Sequence, residues 1–185
     1  MSIRRRRPED VPQLERVLAA QQPSSGYPVR WPLPFPIEQF LVRSTERAAW
    51  VAVEGVAGED PHERPETVIG HVSVLDAAPG WEADAWSAGT GLAASALGVV
   101  GVLFVDRTAT GRGVGSALLS TAVEHLRSIG RVPVLDVVSE SPRAVALYER
   151  HGWHDIGSVR PPWLPADRAP VRLMALGDGG ANVMP

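Results

Sequence analysis

The sequence predicts a mixed α/β domain, and three neighbouring features in the second half of its 185 residues carry that prediction. Residues 99–105 form a run of strand length that is apolar on both faces, which is typical of a buried strand. Residues 114–129 place apolar side chains at helical spacings of three and four, and Gly130 is suited to end that helix. Residues 132–138 return to strand composition, so strand, helix and strand follow one another as in a parallel, right-handed crossover.

Further strands and helices alternate through the rest of the chain. Residues 1–7 predict a first strand; their four arginines, Arg4 to Arg7, also match a nucleic-acid-binding patch, but the net charge of −3 favours the strand. Pro8 then begins an amphipathic helix. The remaining predicted elements are a short helix at 37–43, strands at 50–54 and 67–75, a helical turn at 81–86, a helix at 141–152 and a strand pair at 153–159 and 171–176.

The composition excludes several classes of function. The chain has no cysteine, so it has neither a disulfide framework nor a thiol nucleophile. The acidic balance gives no support for nucleic acid as a partner. No apolar run has the length of a membrane span, and residues 1–30 lack the apolar segment of a signal peptide. We therefore expect a soluble cytoplasmic protein that binds neither nucleic acid nor a membrane.

The glycine-rich turn between the central strand and its helix, Gly111-Arg112-Gly113-Val114-Gly115, has the composition of an anion-binding loop. The first N–H groups of a helix have no intrahelical acceptor and carry the positive end of the helix dipole, and glycine leaves them uncovered. Arg112 would add a guanidinium donor. We expect this loop to hold a phosphate or pyrophosphate group.

Three kinds of phosphate loop can be compared with this turn. A P-loop is excluded, because Ser116 follows Gly115 rather than a lysine. A dinucleotide fingerprint fits weakly, because its third glycine would stand at Ser116. It stays open as an alternative, in which the chain would be a nucleotide-binding α/β protein with affinity for ATP or NAD.

The third kind belongs to the GCN5-related N-acetyltransferases (GNAT), and residues 103–119 resemble its signature, [QR]-x-x-G-x-[GA]. Gly113 and Gly115 occupy the two small positions, and Thr110 stands where the family has Arg or Gln. Residues 141–153, SPRAVALYERHGW, are similar to the family's N-x-x-A-x-x-L-Y-x-x-x-G-[FW] helix, with Ser141 in place of Asn. Two motifs in this order are much more specific than either alone.

The resemblance implies the GNAT fold and an acetyl-transfer activity. The fold is a mixed, mostly antiparallel sheet of six to seven strands, splayed in the middle and flanked by about four helices. We expect it to form a single domain over residues 1–176, followed by a disordered tail at 177–185.

The implied reaction moves an acetyl group from acetyl-coenzyme A, without a metal, to a primary amine of a small molecule or peptide by direct attack on the thioester. The alternative is a catalytically inactive acyl-coenzyme A-binding sensor or partner subunit. The resemblance leaves open whether the protein is a homodimer.

The resemblance also assigns residues to the acetyl donor. The residues expected to bind acetyl-coenzyme A are Leu103, Phe104, Val105, Thr110, Gly111, Arg112, Gly113, Val114, Gly115, Ser116 and Ser141. A backbone N–H near Val105 is expected to stabilise the oxyanion, and Gly101 to start the opening of the sheet with a bulge. Tyr148 stands at the position of the family's general acid. A phenol with a pKa of about 10 is protonated at neutral pH and can therefore donate a proton.

No general base stands out, because the central strand carries no carboxylate. Glu54, His71 or a chain of water molecules would serve, or the amine arrives neutral at the site. His71 shares one face of its predicted strand with Ser73, and its alternative role is that of a hydrogen-bonded structural histidine.

Two segments rich in proline and tryptophan are candidates for the acceptor site. The prolines of residues 23–36, PSSGYPVRWPLPFP, are incompatible with a regular helix or a central strand, so this segment predicts an extended connector. In the resembled family the corresponding segment lines the acceptor site, which points to Tyr27, Arg30 and Trp31. Residues 160–165 form the second such loop, and Trp163 would lie at the acceptor mouth.

Overall fold

Residues 1–55, 66–77 and 79–177 are described by the computed structural model. The strands are β1 (Ser2–Arg5), β2 (Glu46–Gly55), β3 (Glu66–Asp76), β4 (Leu97–Val105), β5 (Val132–Val138), β6 (His154–Val159) and β7 (Val171–Ala175). The α-helices within these described ranges are α1 (Val11–Ser25), α2 (Ile37–Leu41), α3 (Trp81–Thr90), α4 (Val114–Ser128) and α5 (Pro142–Arg150). The predicted disordered tail lies outside the described residues from position 178 onward.

The seven strands form one mixed sheet in the order β1-β2-β3-β4-β5-β7-β6. The pairs β1–β2, β2–β3, β5–β7 and β6–β7 are antiparallel. The pair β4–β5 is parallel, as the succession of strand, helix and strand predicts. The predicted GNAT fold is therefore confirmed in strand number and strand directions.

The chain divides into two compact units. The first contains Met1–Leu75 and Val100–His125, and the second contains Asp76–Val99 and the chain from Leu126 onward. The core of the first unit brings α1 and α2 against β2 and β4, and its fully buried side chains include Leu14, Leu18, Leu41 and Val51. Burial of such apolar side chains contributes about 1.5–3 kcal/mol each.

Helix α1 differs from its predicted end. Residues from Pro23 onward were expected to be non-helical, but α1 continues through Pro23 to Ser25. Gly26 then ends the helix with a left-handed φ of 69°, and its N–H donates to the carbonyl of Gln22 at 2.8 Å. A proline in the last turn removes only one backbone hydrogen bond, so it stops a helix less effectively there than in the interior.

Strand β4 departs from the expectation that it is buried throughout. Residues Leu97–Val100 are buried, but Gly101, Leu103 and Val105 are partly exposed and alternate with buried Val102 and Phe104. The described register of β4 with β5 ends at Val99, opposite Val134. The irregular backbone lies at Val102, whose φ is 52°, one residue after the glycine at which a bulge was expected. The second half of β4 is therefore an accessible strand that leads toward the glycine loop.

In the second unit, α3 extends further than the predicted helical turn, from Trp81 to Thr90. The Trp86 side chain is 2% exposed, and its indole N–H donates to the carbonyl of Leu135 at 3.4 Å. Gly89 lies so close to β6 that an added Cβ would stand 2.7 Å from the carbonyl oxygen of Ile156. Helix α3 therefore packs on the sheet of its own unit.

Candidate functional site

The connection from β4 to α4 begins with a short, well-bonded turn. Residues Arg107–Ala109 form one 3₁₀ turn, and the side chain of Asp106 precedes it. The Asp106 Oδ1 accepts two hydrogen bonds from Thr108, one from its backbone N–H at 2.7 Å and one from its side-chain hydroxyl at 2.5 Å. These bonds fix the entry to the glycine loop.

The glycine loop itself has a left-handed backbone. Gly111 and Gly113 both have φ of 82°, a conformation that strains any residue with a side chain. A Cβ added at either glycine would meet nothing within 4 Å, so the surface above the loop is open. The Gly113 carbonyl accepts the N–H of Ala117 at 3.0 Å, which makes Gly113 the first residue of the α4 hydrogen-bond ladder. The N–H groups of Val114, Gly115 and Ser116 therefore have no intrahelical acceptor, and an exposed anion fits there.

The polar side chains of the loop are partly committed to protein partners. The Thr110 hydroxyl donates back to the carbonyl of Asp106 at 3.3 Å. Arg112 is half-exposed, and its guanidinium forms an ion pair with the Glu54 carboxylate on β2. The loop thus presents one cation whose charge is shared with a neighbouring acid.

His71 lies on β3, fully buried, and both of its ring nitrogens have partners. Its Nδ1 is 2.9 Å from the carbonyl oxygen of Val102, and its Nε2 is 3.2 Å from Nη1 of Arg6. Because a carbonyl can only accept and a guanidinium can only donate, the proton resides on Nδ1. Burial, with a smaller effect from the nearby charge of Arg6, lowers the pKa of His71 to about 3, although the bond to Val102 opposes the change.

The partners of His71 were missed from the sequence. The Arg6 guanidinium binds the Glu46 carboxylate through two bonds of 2.6 and 3.0 Å, and it also donates to the carbonyl of Leu41 at 2.7 Å. Arg6 and Glu46 are 40 positions apart, so no local spacing links them. The only sequence signal is an arginine in a strand that borders an apolar core.

Tyr148 lies on α5, and Ser141 immediately precedes this helix, both in the second unit. Tyr148 is 9% exposed, and its ring packs edge-on against Trp153 with a centroid distance of 5.9 Å. Ser141 occupies the N-cap position, where its carbonyl accepts the N–H of Val145 at 3.0 Å. Its hydroxyl makes no capping hydrogen bond.

The acceptor candidates are divided between the two units. Tyr27, Arg30 and Trp31 belong to the connector between α1 and α2, where the Tyr27 ring packs on Phe40 at 5.8 Å. Arg30 is exposed and Trp31 is partly exposed. Trp163 belongs to the second unit, in the segment between β6 and β7, and is 38% exposed.

The described residues contain neither a membrane-spanning helix nor a cluster of metal ligands. None of their helices is both long enough and apolar enough to cross a membrane. Among the same residues, no group of three or more histidine, aspartate or glutamate side chains is arranged to hold a metal ion.

A single known protein family accounts for both sequence motifs. The model of the acetyltransferase (GNAT) family matches residues 14–153, which include the glycine loop and α5. The chain belongs to this family. It is also 44% identical over 59 residues to the mycothiol acetyltransferase of Geodermatophilus obscurus. That match covers 31% of the chain and 19% of the relative, so the chain spans about a fifth of the relative's length.

Solved GNAT structures share the fold over nearly the whole chain. A GCN5-related N-acetyltransferase from Kribbella flavida has a TM-score of 0.64 at 22% identity and covers 94% of this chain and 95% of its own. Arabidopsis thaliana NAA60 in complex with acetyl-CoA has a TM-score of 0.65 at 21% identity, with coverage of 94% and 96%. The ribosomal-protein-S18-alanine N-acetyltransferase of Escherichia coli has a TM-score of 0.61 at 15% identity, with coverage of 99% and 98%.

Proposed function

We propose that the protein is an acetyl-coenzyme A-dependent N-acetyltransferase that acts on a primary amine of a small molecule or peptide. The observation that carries this proposal is the pair of left-handed glycines, Gly111 and Gly113, which open the N-terminus of α4 directly after β4. Family membership, the aligned mycothiol acetyltransferase and the acetyl-CoA complex of a similar fold support acetyl transfer from coenzyme A.

The proposed donor site follows β4 into the loop. The pyrophosphate would accept hydrogen bonds from the N–H groups of residues 113–116 and from Arg112. The peptide-like pantetheine arm would pair with the backbone of Leu103, Phe104 and Val105, which lie beyond the point where the β5 register ends. Both binding modes use backbone groups, so they tolerate threonine at position 110.

The proposed reaction needs no covalent enzyme intermediate. The amine nitrogen attacks the thioester carbon and forms a tetrahedral oxyanion, which a backbone N–H of β4 stabilises. The C–S bond then breaks, the coenzyme A thiolate takes a proton, and the nitrogen of the new amide loses one. We assign the proton donor to Tyr148 on the strength of its position in the α5 motif.

The two candidate bases have competing partners. Glu54 is paired with Arg112, and His71 is buried with both nitrogens engaged. We therefore propose that the acceptor amine enters neutral, and that kcat/KM rises with pH as the free amine deprotonates. For the acceptor we propose contacts with Arg30 and with the aromatic side chains of Tyr27, Trp31 and Trp163.

The first experiment is a calorimetric titration with acetyl-coenzyme A, using ATP and NAD as comparison ligands. Micromolar binding of acetyl-coenzyme A alone is expected, and Gly113→Glu should abolish it by adding a like charge above the loop. Gly130→Glu is the matched control, because Gly130 ends the same helix with φ of 69° and open space around it. Preferred binding of ATP or NAD would overturn the proposal in favour of a nucleotide-binding protein.

A second experiment separates the enzyme from an acyl-coenzyme A sensor, an alternative that the Thr110–Asp106 bond keeps open. Release of coenzyme A thiol is measured against a panel of primary amines and peptides. Thiol release is expected to fall about 10²–10⁴-fold in Tyr148→Phe, while acetyl-coenzyme A affinity is unchanged. Binding without thiol release in either form would identify a sensor.

A further inference from the structure

The backbone of β4 is irregular at one residue of the proposed donor site. Val102 has φ of 52°, which is rare for a β-branched residue and is strained unless neighbours hold it. Val102 is also buried, so its conformation is set by its surroundings rather than by solvent. The glycine beside it, Gly101, could have taken this conformation more cheaply. A specific contact must therefore stabilise the backbone at Val102.

One contact at this residue comes from a side chain on β3. The Val102 carbonyl accepts the Nδ1–H of His71 at 2.9 Å, from the neighbouring strand β3. In a planar trans peptide the C=O and the following N–H point in opposite directions. The His71 bond therefore directs the N–H of Leu103 away from the His71 ring.

His71 is itself held by a buried ionic network. Nη1 of Arg6 lies 3.2 Å from the His71 Nε2, 3.0 Å from Glu46 Oε2 and 2.7 Å from the Leu41 carbonyl. Its two hydrogens are shared among these three acceptors, and Nη2 donates to Glu46 Oε1 at 2.6 Å. The ring of His71 also packs against Phe104 with a centroid distance of 5.5 Å. The imidazole is thus fixed in one orientation, and it is connected through Arg6 to the last residue of α2.

We propose that His71 is a positioning residue, whose bond to Val102 orients the Leu103 N–H toward the thioester carbonyl of acetyl-coenzyme A. This rests on the proposed function, since it requires that the thioester lie against β4. His71 does not exchange a proton in the reaction. It sets the direction of a backbone donor, and Arg6 and Glu46 keep it in place.

Isotope-edited infrared spectroscopy of acetyl-coenzyme A labelled with ¹³C at the thioester carbonyl tests this role directly. In the wild-type complex the carbonyl band is expected at lower frequency than in buffer, because a fixed N–H polarises the bond. His71→Leu removes the donor to Val102 and should recover at least half of that shift. The ratio of the Kd for coenzyme A to the Kd for acetyl-coenzyme A should fall toward one, with less than a threefold change in the Kd for coenzyme A.

Two variants separate positioning from general stability. His71→Asn places an amide N–H close to the Nδ1 position and should keep the wild-type carbonyl band. Ser73→Ala removes a hydroxyl on the same face of β3 that donates to Glu46 at 3.3 Å, and it should also leave the band unchanged. If His71→Leu does not fold, His71→Gln replaces it, since its amide reaches the Nε2 position and not the Nδ1 position.

The outcomes distinguish this proposal from the function on which it rests. An identical carbonyl band in wild type and in the folded Leu or Gln variant would overturn the role of His71, while acetyl transfer would stand. If the band shift is lost in His71→Asn as well as in His71→Leu, the hydrogen bond to the Val102 carbonyl is not the cause of the shift, because His71→Asn retains a donor there. Failure of the wild-type protein to bind acetyl-coenzyme A would overturn both.

Discussion

Arg112 in the glycine loop forms an ion pair with Glu54 at the end of β2. Arg112 stands between Gly111 and Gly113, the two left-handed glycines of the loop, where the proposed pyrophosphate would bind. Glu54 and the pyrophosphate would therefore compete for one cation. The pair is partly exposed, with 51% and 33% of the side chains accessible, so the competition is weak.

Glu54→Gln is expected to tighten acetyl-coenzyme A binding about two- to fivefold, which corresponds to the strength of a surface ion pair of less than about 1 kcal/mol. The turnover number should be unchanged. Calorimetry and thiol release measure the two quantities. The control is Glu66→Gln, which breaks a pair with Arg4 elsewhere in the same unit and should change neither. If Glu54 were the general base, its loss would instead lower the turnover number about 10²–10⁴-fold.

Gly70 allows α4 to lie close to β3. A Cβ at this position would stand 2.9 Å from Cδ1 of Leu118 and 3.2 Å from both the Phe104 carbonyl oxygen and Cγ1 of Val114. Gly70→Ala is expected to lower the free energy of unfolding by about 1–3 kcal/mol in chemical denaturation, because the core is overpacked. Gly55→Ala in β2 is the matched control, since nothing lies within 4 Å of its added Cβ. Equal stability of the two variants would refute this account of α4 packing.

The stability of the protein should decrease in mild acid because of His71. Burial lowers its pKa from 6.5 to about 3, so between these values the unfolded chain binds a proton that the folded protein does not. The free energy of unfolding should thus fall as pH falls from 6.5 toward 3, by up to about 1.4 kcal/mol per pH unit. Denaturation of His71→Asn across this range should show a shallower slope; the same slope would show that His71 is not the cause.

A separate acid effect is expected from Asp10. Burial raises the pKa of this carboxyl, but bonds from the Arg4 side chain and the Arg7 N–H outweigh burial and hold it below 3.8. Its stabilising contribution is present above that value and is lost as pH falls further. Above pH 3.8 the loss of stability is therefore expected to come mainly from His71, and below it Asp10 adds to the loss, so one titration of stability can measure both.

His125 on α4 reports on the packing of Trp50. Its ring lies 5.1 Å from that of Trp50, whose other neighbour is the Arg5 guanidinium at 4.3 Å from the ring centroid. Burial and the charge of Arg5 lower the pKa of His125. Arg5→Gln is therefore expected to raise it, as measured by an NMR titration of the imidazole. An unchanged midpoint would mean that Arg5 does not act on this ring.

The strand-loop-helix unit was predictable because its signals are local. Glycine at 111 and 113, the apolar periodicity of α4 and the proline that begins α5 each fix the backbone within a few residues. Each of these elements appears at its predicted place. The end of α1 was less predictable, since the effect of Pro23 depends on how many helical bonds follow it.

The polar contacts of the site could not be predicted because they join distant positions. Arg112 and Glu54 are 58 residues apart, and Arg6 and His71 are 65 apart. Their pairing follows from the arrangement of the strands and of the loop after β4, which single residues do not encode. The irregular φ at Val102 was missed for the same reason, since its stabilising partner lies on another strand.

The four consecutive arginines at the end of β1 and just after it use much of their charge within the protein. Arg4 pairs with Asp10 and Glu66, Arg5 stacks over Trp50, and Arg6 binds Glu46. A polyanion such as heparin would have to displace carboxylates that are already bound in order to use Arg4 and Arg6. The most basic stretch of the chain therefore offers little unpaired positive charge to an approaching molecule.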